Sequence, residues 1–309
     1  MKMWTMLFAV GYVLTGCGGG TNGTGGSGGA GGTAGAGGTG GTGGTGGTGG
    51  SGGSGAMTVH QLRTATPADG TMVTLQNVVV VASVTSSKTG RLYVQDAGGG
   101  MQTSVQVFCN YGGTTPTCTN YTQQTFGAFT RGQVITVMGK VSHYTPTGAP
   151  ATTTLLEIDT PTMTASTQMM DPVATQVPVA MVDKTSGLAN DTLKGTYVKV
   201  TGGPFTVSGL MPAYMAASCM IAGGDGGSGT QYRGWELSAG GSTLAVVTTF
   251  YNTFHWYTPN PCFAPPMGGT QVTNQTFNTL QGIVEGNYDR TSMTAFLQVS
   301  PVIPGDLAQ

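Results

Sequence analysis

Two stretches of this chain align position for position, and that repetition constrains its fold more than any other feature. Gly70-Thr71-Met72-Val73-Thr74-Leu75 and Gly195-Thr196-Tyr197-Val198-Lys199-Val200 share the pattern G-T-x-V-x-apolar. Each leads into another strand-like run, Val78 to Val84 and Pro204 to Val207. Further on, Leu92-Tyr93-Val94-Gln95-Asp96, its glycines and Val105 to Phe108 correspond to Trp235-Glu236-Leu237, Gly240-Gly241 and Leu244 to Phe250. Val134 to Val141, with Gly139 inside it, corresponds to Phe277 to Val284, which holds Leu280-Gln281-Gly282-Ile283-Val284. A last run closes each copy, near Thr154 to Ile158 and Thr294 to Val299. The chain is expected to hold two copies of one five-stranded unit.

Within the runs, Met72, Thr74 and Gln76 share one face while Val73 and Leu75 share the other, the period of a half-buried strand. Gly- and Thr-rich turns separate the runs, at Ser86 to Gly90 and Asp96 to Gly100. Charged residues make up only 7% of the chain, and their scarcity beside many β-branched residues disfavours helix. Met163 to Met170 and Val177 to Leu188 are each expected to hold a short helical turn at most. The fold class is therefore all-β.

The order G-x-x-V, long strand, Y-V-Q-D with glycines, apolar strand, loop and I-x-V-x-G-x-V resembles the OB-fold family, above all the OB-like domains of secreted bacterial proteins. The resemblance covers most of residues 57 to 159. Residues 170 to 303 match less closely, with Trp235-Glu236-Leu237-Ser238 in place of YVQD and Leu210 to Gly229 reading as an insertion. It implies two five-stranded OB-like barrels in tandem, over residues 57–165 and 166–309, with Gly139 letting the fourth strand bend around the barrel corner. A pair of Ig-like β-sandwiches is the alternative.

Ahead of the repeats, Lys2 precedes an apolar run from Met3 to Leu14 that is too short for a span needing ~20 residues. Residues 1–16 read as a signal peptide. Leu14-Thr15-Gly16-Cys17 resembles the lipobox of bacterial lipoproteins. That resemblance implies cleavage before Cys17, acylation there, and membrane anchoring in the cell envelope, with Gly18 pointing to the outer membrane. Each buried acyl CH₂ contributes ~0.8 kcal/mol to such an anchor. From Gly18 to Gly55, 24 of 38 residues are glycine. Residues 17–56 are thus expected to be a lipidated cysteine and a flexible tether reaching ~35 Å.

Cys109, Cys118, Cys219 and Cys262 remain, an even number that points to disulfides in an exported chain. Of the three pairings, Cys109–Cys118 with Cys219–Cys262 keeps each bridge inside one copy of the repeat. The spacings are not C-x-x-C, and His60, His143 and His255 are scattered, so neither a metal nor a cofactor is expected.

Catalytic residues are not expected either. Past the Gly-rich stretch there is no G-x-S-x-G elbow, no histidine has a persuasive acidic partner, and the 12 Asp and Glu residues are dispersed. Asp96 reads as a turn residue holding backbone amides, and Glu157 with Asp159 and Glu285 with Asp289 as solvated faces. Single-stranded nucleic-acid binding, a common OB-fold role, needs a basic groove with aromatic platforms. Residues 57–165 carry five Lys/Arg against four Asp/Glu, and residues 166–309 five against eight. That disfavours the role and leaves only Lys88, Arg91 and Arg131 as a local basic patch.

The sharpest binding candidate is the stretch Phe250 to Phe263, with Tyr251, Phe254, His255, Trp256 and Tyr257. Aromatic rings beside amides suit stacking on sugars or clamping a peptide; a plug for the end of the second barrel is the alternative. Tyr111 and Tyr121, beside Cys109 and Cys118, pose the same choice. The chain is read as a lipid-anchored envelope protein, not an enzyme, that binds a glycan or an envelope protein or serves as a scaffold. A nucleic-acid-binding OB module and an envelope hydrolase are the alternatives. No feature speaks to its oligomeric state.

Overall fold

The computed structural model describes residues 55–112, 116–210, 234–247, 276–289 and 292–308. A two-residue strand, β1 (Ala56–Met57), leads into a short helix, α1 (Val59–Ala65). A capping box starts the helix: the Thr58 hydroxyl accepts the Gln61 amide, and the Gln61 side chain accepts the Thr58 amide. There follow β2 (Met72–Thr85), β3 (Thr89–Gln95), β4 (Ser104–Asn110), α2 (Gln123–Gly127), β5 (Gln133–Tyr144) and β6 (Leu155–Met169).

The alternation at Val73 and Leu75 sends both inward, with Leu92, Val94, Val107 and Ile158. β2 pairs with β5 through its first half and with β3 through its second, and a bulge between Leu75 and Val78 bends it between the two partners. β3 pairs with β4 and β5 with β6, both antiparallel, while β4 and β6 run parallel. The ring therefore runs first, second, third, fifth, fourth and back to first, the Greek-key order of an OB-like barrel. That closed ring rules out the sandwich alternative for the first copy.

α2 closes one end of the barrel. Its Phe126 is fully buried, with ring centroids 6.2 Å from Tyr111 and 5.8 Å from Tyr121. A Cβ at Gly90 would lie 2.4 Å from Phe126 Cδ1, so that position on β3 has to be glycine. Tyr121 Oη accepts the Met163 amide at 2.7 Å, and Tyr111 Oη donates to Ser86 O at 2.7 Å. These tyrosines form the end of the core rather than an open binding face.

The second copy comprises β7 (Thr175–Pro178), β8 (Tyr197–Thr201), β9 (Phe205–Leu210), β10 (Gly234–Ala239), β11 (Ser242–Val247), β12 (Thr276–Phe277), β13 (Thr279–Asp289) and β14 (Thr294–Ser300), with β15 (Leu307–Ala308) on β13. Gly202-Gly203-Pro204 splits its first strand into β8 and β9, and Asn278 splits its fourth into β12 and β13. β9 pairs with β10 and β12, β8 with β13, β11 with β14 in parallel, and β13 with β14, repeating the first barrel's order.

The repeat holds down to single hydrogen bonds. Gly70 N–H donates to Val141 O at 2.8 Å and Val141 N–H to Thr71 O at 2.9 Å, while Gly195 donates to Val284 O at 2.7 Å and Val284 to Thr196 O at 3.0 Å. The pairing run Leu92–Val107–Ile158 recurs as Trp235–Val246–Val299, all six buried.

β6 is much longer than the expected Thr154–Ile158 strand. β5 offers it a partner along its whole length, from Tyr144 opposite Leu155 to Gln133 opposite Met169. Met163 to Met169 is therefore strand rather than a helical turn, and the first barrel extends past residue 165. Val177 to Leu188 does hold short 3-10 turns, at Val179–Val182 and Ser186–Ala189.

A third apolar cluster joins the barrels, with Val81, Ala82, Tyr93 and Leu155 from the first and Tyr197, Ile283 and Val302 from the second. Arg131 donates to Val81 O at 2.9 Å and to Tyr197 Oη at 3.2 Å, and its guanidinium lies 4.9 Å from the Tyr197 ring centroid. Arg63 on α1 donates to Ser104 O at 2.9 Å, to Asp191 O at 2.6 Å and to Lys194 O. Burial lowers its guanidinium to about 10, the nearby Asp191 charge partly offsetting the shift.

Candidate functional site

Strand geometry that turns Leu92, Val107 and Ile158 into the first barrel turns Arg91, Tyr93, Gln106, Phe108 and Glu157 out of it. These outward side chains face the second barrel, where β13 presents Glu285 and Asn287 and β14 presents Gln298 and Ser300. A pocket of about 610 Å³ lies between the two faces, lined from both sides by Arg91, Gln106, Phe108, Glu157, Glu285, Asn287 and Gln298, with Tyr144 and Tyr288 at its margins. That volume falls in the ~300–1,000 Å³ range of small-ligand sites.

One hydrogen-bond network crosses the boundary between the barrels. Gln106 Nε2 donates to Glu157 Oε2 at 2.8 Å, and Tyr93 Oη lies 2.7 Å from Gln106 Oε1 and 2.6 Å from Glu285 Oε1. Glu285 Oε2 accepts from Gln298 Nε2 at 2.9 Å and from Ser300 Oγ at 3.0 Å, and Asn287 Nδ2 donates to Gln298 Oε1 at 2.8 Å. Arg91 Nη1 stands 3.7 Å from Glu285 Oε1.

Both carboxyls are buried, Glu157 at 5% exposure and Glu285 at 6%. Neither belongs to the solvated face expected of it, because the second barrel covers the surface that a single barrel would leave in water. Burial pushes the Glu157 carboxyl up to about 7, with Asp159 adding to the shift and the Gln106 bond and Arg91 opposing it. Burial, then the Glu285 charge, raises the Tyr93 phenol well above its usual value, so it stays protonated.

The expected basic patch is dispersed. Arg91 sits beside Glu285 and Arg131 is bonded into the barrel interface. His143 does have an acidic partner, Asp69, at 2.6 Å, but both side chains are exposed and neither lines this pocket. Asp96 accepts the first two amides of α1, Val59 N–H at 2.8 Å and His60 N–H at 2.9 Å, so it serves the helix instead of its own turn. Cys109 and Cys118 are joined as a disulfide, with Cα atoms 5.5 Å apart. Cys17, Cys219, Cys262, Tyr251, Phe254, His255, Trp256 and Tyr257 lie outside the described residues. Among the described residues no group of three or more His, Cys, Asp or Glu is placed to hold a metal, and no helix is long and apolar enough to cross a membrane.

Two tandem OB-like barrel units with an open pocket of mixed polar and apolar lining at their junction are what the fold and site define. No family model matches the chain, and no curated protein matches it. Among solved structures it is similar to a murine DNA-binding protein bound with double-stranded DNA, at 8% identity and a TM-score of 0.29, over 74% of this chain and 93% of that one. A likeness at that level carries no argument about function.

Proposed function

We propose that the chain is a lipid-anchored envelope protein, held through Cys17, that binds a glycan in the pocket between its barrels without chemically changing it. The pocket's composition carries this reading. Phe108, Tyr144 and Tyr288 line it together with the amides of Gln106, Asn287 and Gln298 and the carboxyl of Glu285. A sugar offers matching surfaces, an apolar ring face and a hydroxylated edge. Among the described residues Arg91 is the one cation in the lining and is opposed by two carboxyls, which suits a polyanion such as single-stranded nucleic acid poorly.

Hydrolysis is the second reading, favoured by the presence of two carboxyls in one pocket. Against it, both oxygens of Glu285 already accept hydrogen bonds, whereas a glycosidase needs one carboxylate free to attack or to activate water. The test titrates the detergent-solubilised full chain with cell-wall glycan fragments by calorimetry. Saturable binding is expected, weakened at least ~10-fold in Phe108→Ala, with the glycan recovered intact. New reducing ends that vanish in Glu157→Gln would replace binding with hydrolysis, and no binding at all would remove the pocket reading.

A further inference from the structure

The chain Glu157–Gln106–Tyr93–Glu285 has three hydrogen-bond gaps, of 2.8, 2.7 and 2.6 Å. One Gln106 amide hydrogen and one phenolic hydrogen can fill two of them, whichever way the amide faces. The third hydrogen has to come from a carboxyl. Glu285 faces Gln298, Ser300 and Arg91 as well as Tyr93, so the extra proton resides on Glu157 once the Gln106 amide is turned over from the orientation described above, its oxygen toward Glu157 and its nitrogen toward Tyr93. Among the described residues, the other ionisable groups around the pair are Arg91 and Tyr93 on β3, Asp159 on β6, and the pocket-lining Tyr144 on β5 and Tyr288 on β13. β4 and β14 contribute only Gln106, Phe108, Gln298 and Ser300 there.

The repeat sharpens the point. Glu157 pairs with Gln106 as Gln298 pairs with Ala245, so the second barrel carries glutamine where the first carries glutamate. A glutamine at 157 would fill the gap with no added proton. The acid differs by being able to release one. With that proton in place, Arg91 and the two carboxyls sum to zero; with it gone, the buried lining is one negative charge in excess and needs a cation.

Resting on the reading of this pocket as a glycan site, we propose that it selects a glycan with a free primary amine, an amino sugar without its N-acetyl group, whose ammonium replaces the proton held on Glu157. Phe108, Tyr144 and Tyr288 line the same pocket, and aromatic rings attract such a cation. An N-acetylated glycan has no charge to exchange, and an acidic one adds a charge with no counterpart.

The test compares fully deacetylated and fully N-acetylated β-1,4-linked glucosamine tetramers, by calorimetry on the detergent-solubilised full chain at pH 6.5 in two buffers of different ionisation enthalpy. The deacetylated tetramer is expected to bind ~10-fold or more tightly and to release about one proton, read from the buffer dependence of the heat. Glu157→Gln should lose both the preference and the proton release while still unfolding in one cooperative transition. If that variant fails to fold, wild-type proton release decides alone. Equal affinity, or preference for the N-acetylated tetramer, overturns the exchange and leaves the pocket reading standing. Binding of neither removes both.

Discussion

Gly139→Ala and Gly282→Ala test the equivalence of the two barrels directly. A Cβ at Gly139 would stand 2.5 Å from Ile158 Cγ2 and 2.8 Å from Asp159 O, and one at Gly282 would stand 2.6 Å from Ser300 O and 2.8 Å from Val299 Cγ1. Ordinary carbon contacts lie at ~3.5–4.0 Å, so the fourth and fifth strands of each barrel would have to part by about 1 Å. Overpacking of this kind costs ~1–3 kcal/mol, and because one obstacle at each site is backbone oxygen that cannot rotate away, the upper half of that range is expected. At ~2–4 °C per kcal/mol for a chain of this size, each variant should melt about 4–12 °C below wild type. The sites lie in different barrels, so the double variant should lose about 4–6 kcal/mol, enough to abolish folding of a marginally stable protein. Gly98→Ala, where a Cβ meets nothing within 4 Å, should stay within ~0.5 kcal/mol. The assay is urea unfolding of the full chain followed by far-UV circular dichroism. A Gly139→Ala midpoint indistinguishable from that of Gly98→Ala would refute the close strand crossing.

Glu157 makes a pH prediction. Burial raises its folded carboxyl from 4.5 to about 7, so the stability tied to its protonated form is complete below about pH 4.5 and is lost as pH rises through about 7, up to about 3 kcal/mol. The urea midpoint of Glu157→Gln relative to wild type should therefore climb between pH 5 and 8; a constant difference would show that Glu157 does not titrate there. Asp96→Ala strips two amides of α1 of their acceptor and should cost ~1–2 kcal/mol in the same assay, whereas an unchanged midpoint would mean that other contacts hold the helix. Cys17→Ser should move the protein from the membrane fraction to the soluble fraction on cell fractionation, and continued membrane association would overturn the anchor.

Strand order, the doubling of the unit and the glycines at the strand crossings were readable in the sequence, because strand alternation and turn chemistry act over a few residues. G-T-x-V and the glycines at 139 and 282 recur at equivalent places in both copies. The Thr58-x-x-Gln61 capping signature of α1 was also present in plain sight, though too short to register as a helical period. The length of β6 was not readable: beyond Pro161 its residues become strand because β5 lies alongside them.

The pocket belongs entirely to tertiary structure. Glu157 and Glu285 look like ordinary surface acids, each in the company of a nearby Asp, and Arg91 looks like part of a basic patch. Docking one barrel on the outer face of the other buries the carboxyls, takes up the arginine and brings Tyr93 to within 2.6 Å of Glu285, 192 positions along the chain. The sequence by itself determined which faces each barrel would turn inward, since a local period specifies burial within a sheet. Which outward faces would meet, and what proton they would hold between them, only the packing of the two barrels decided, because no local period records a partner so distant.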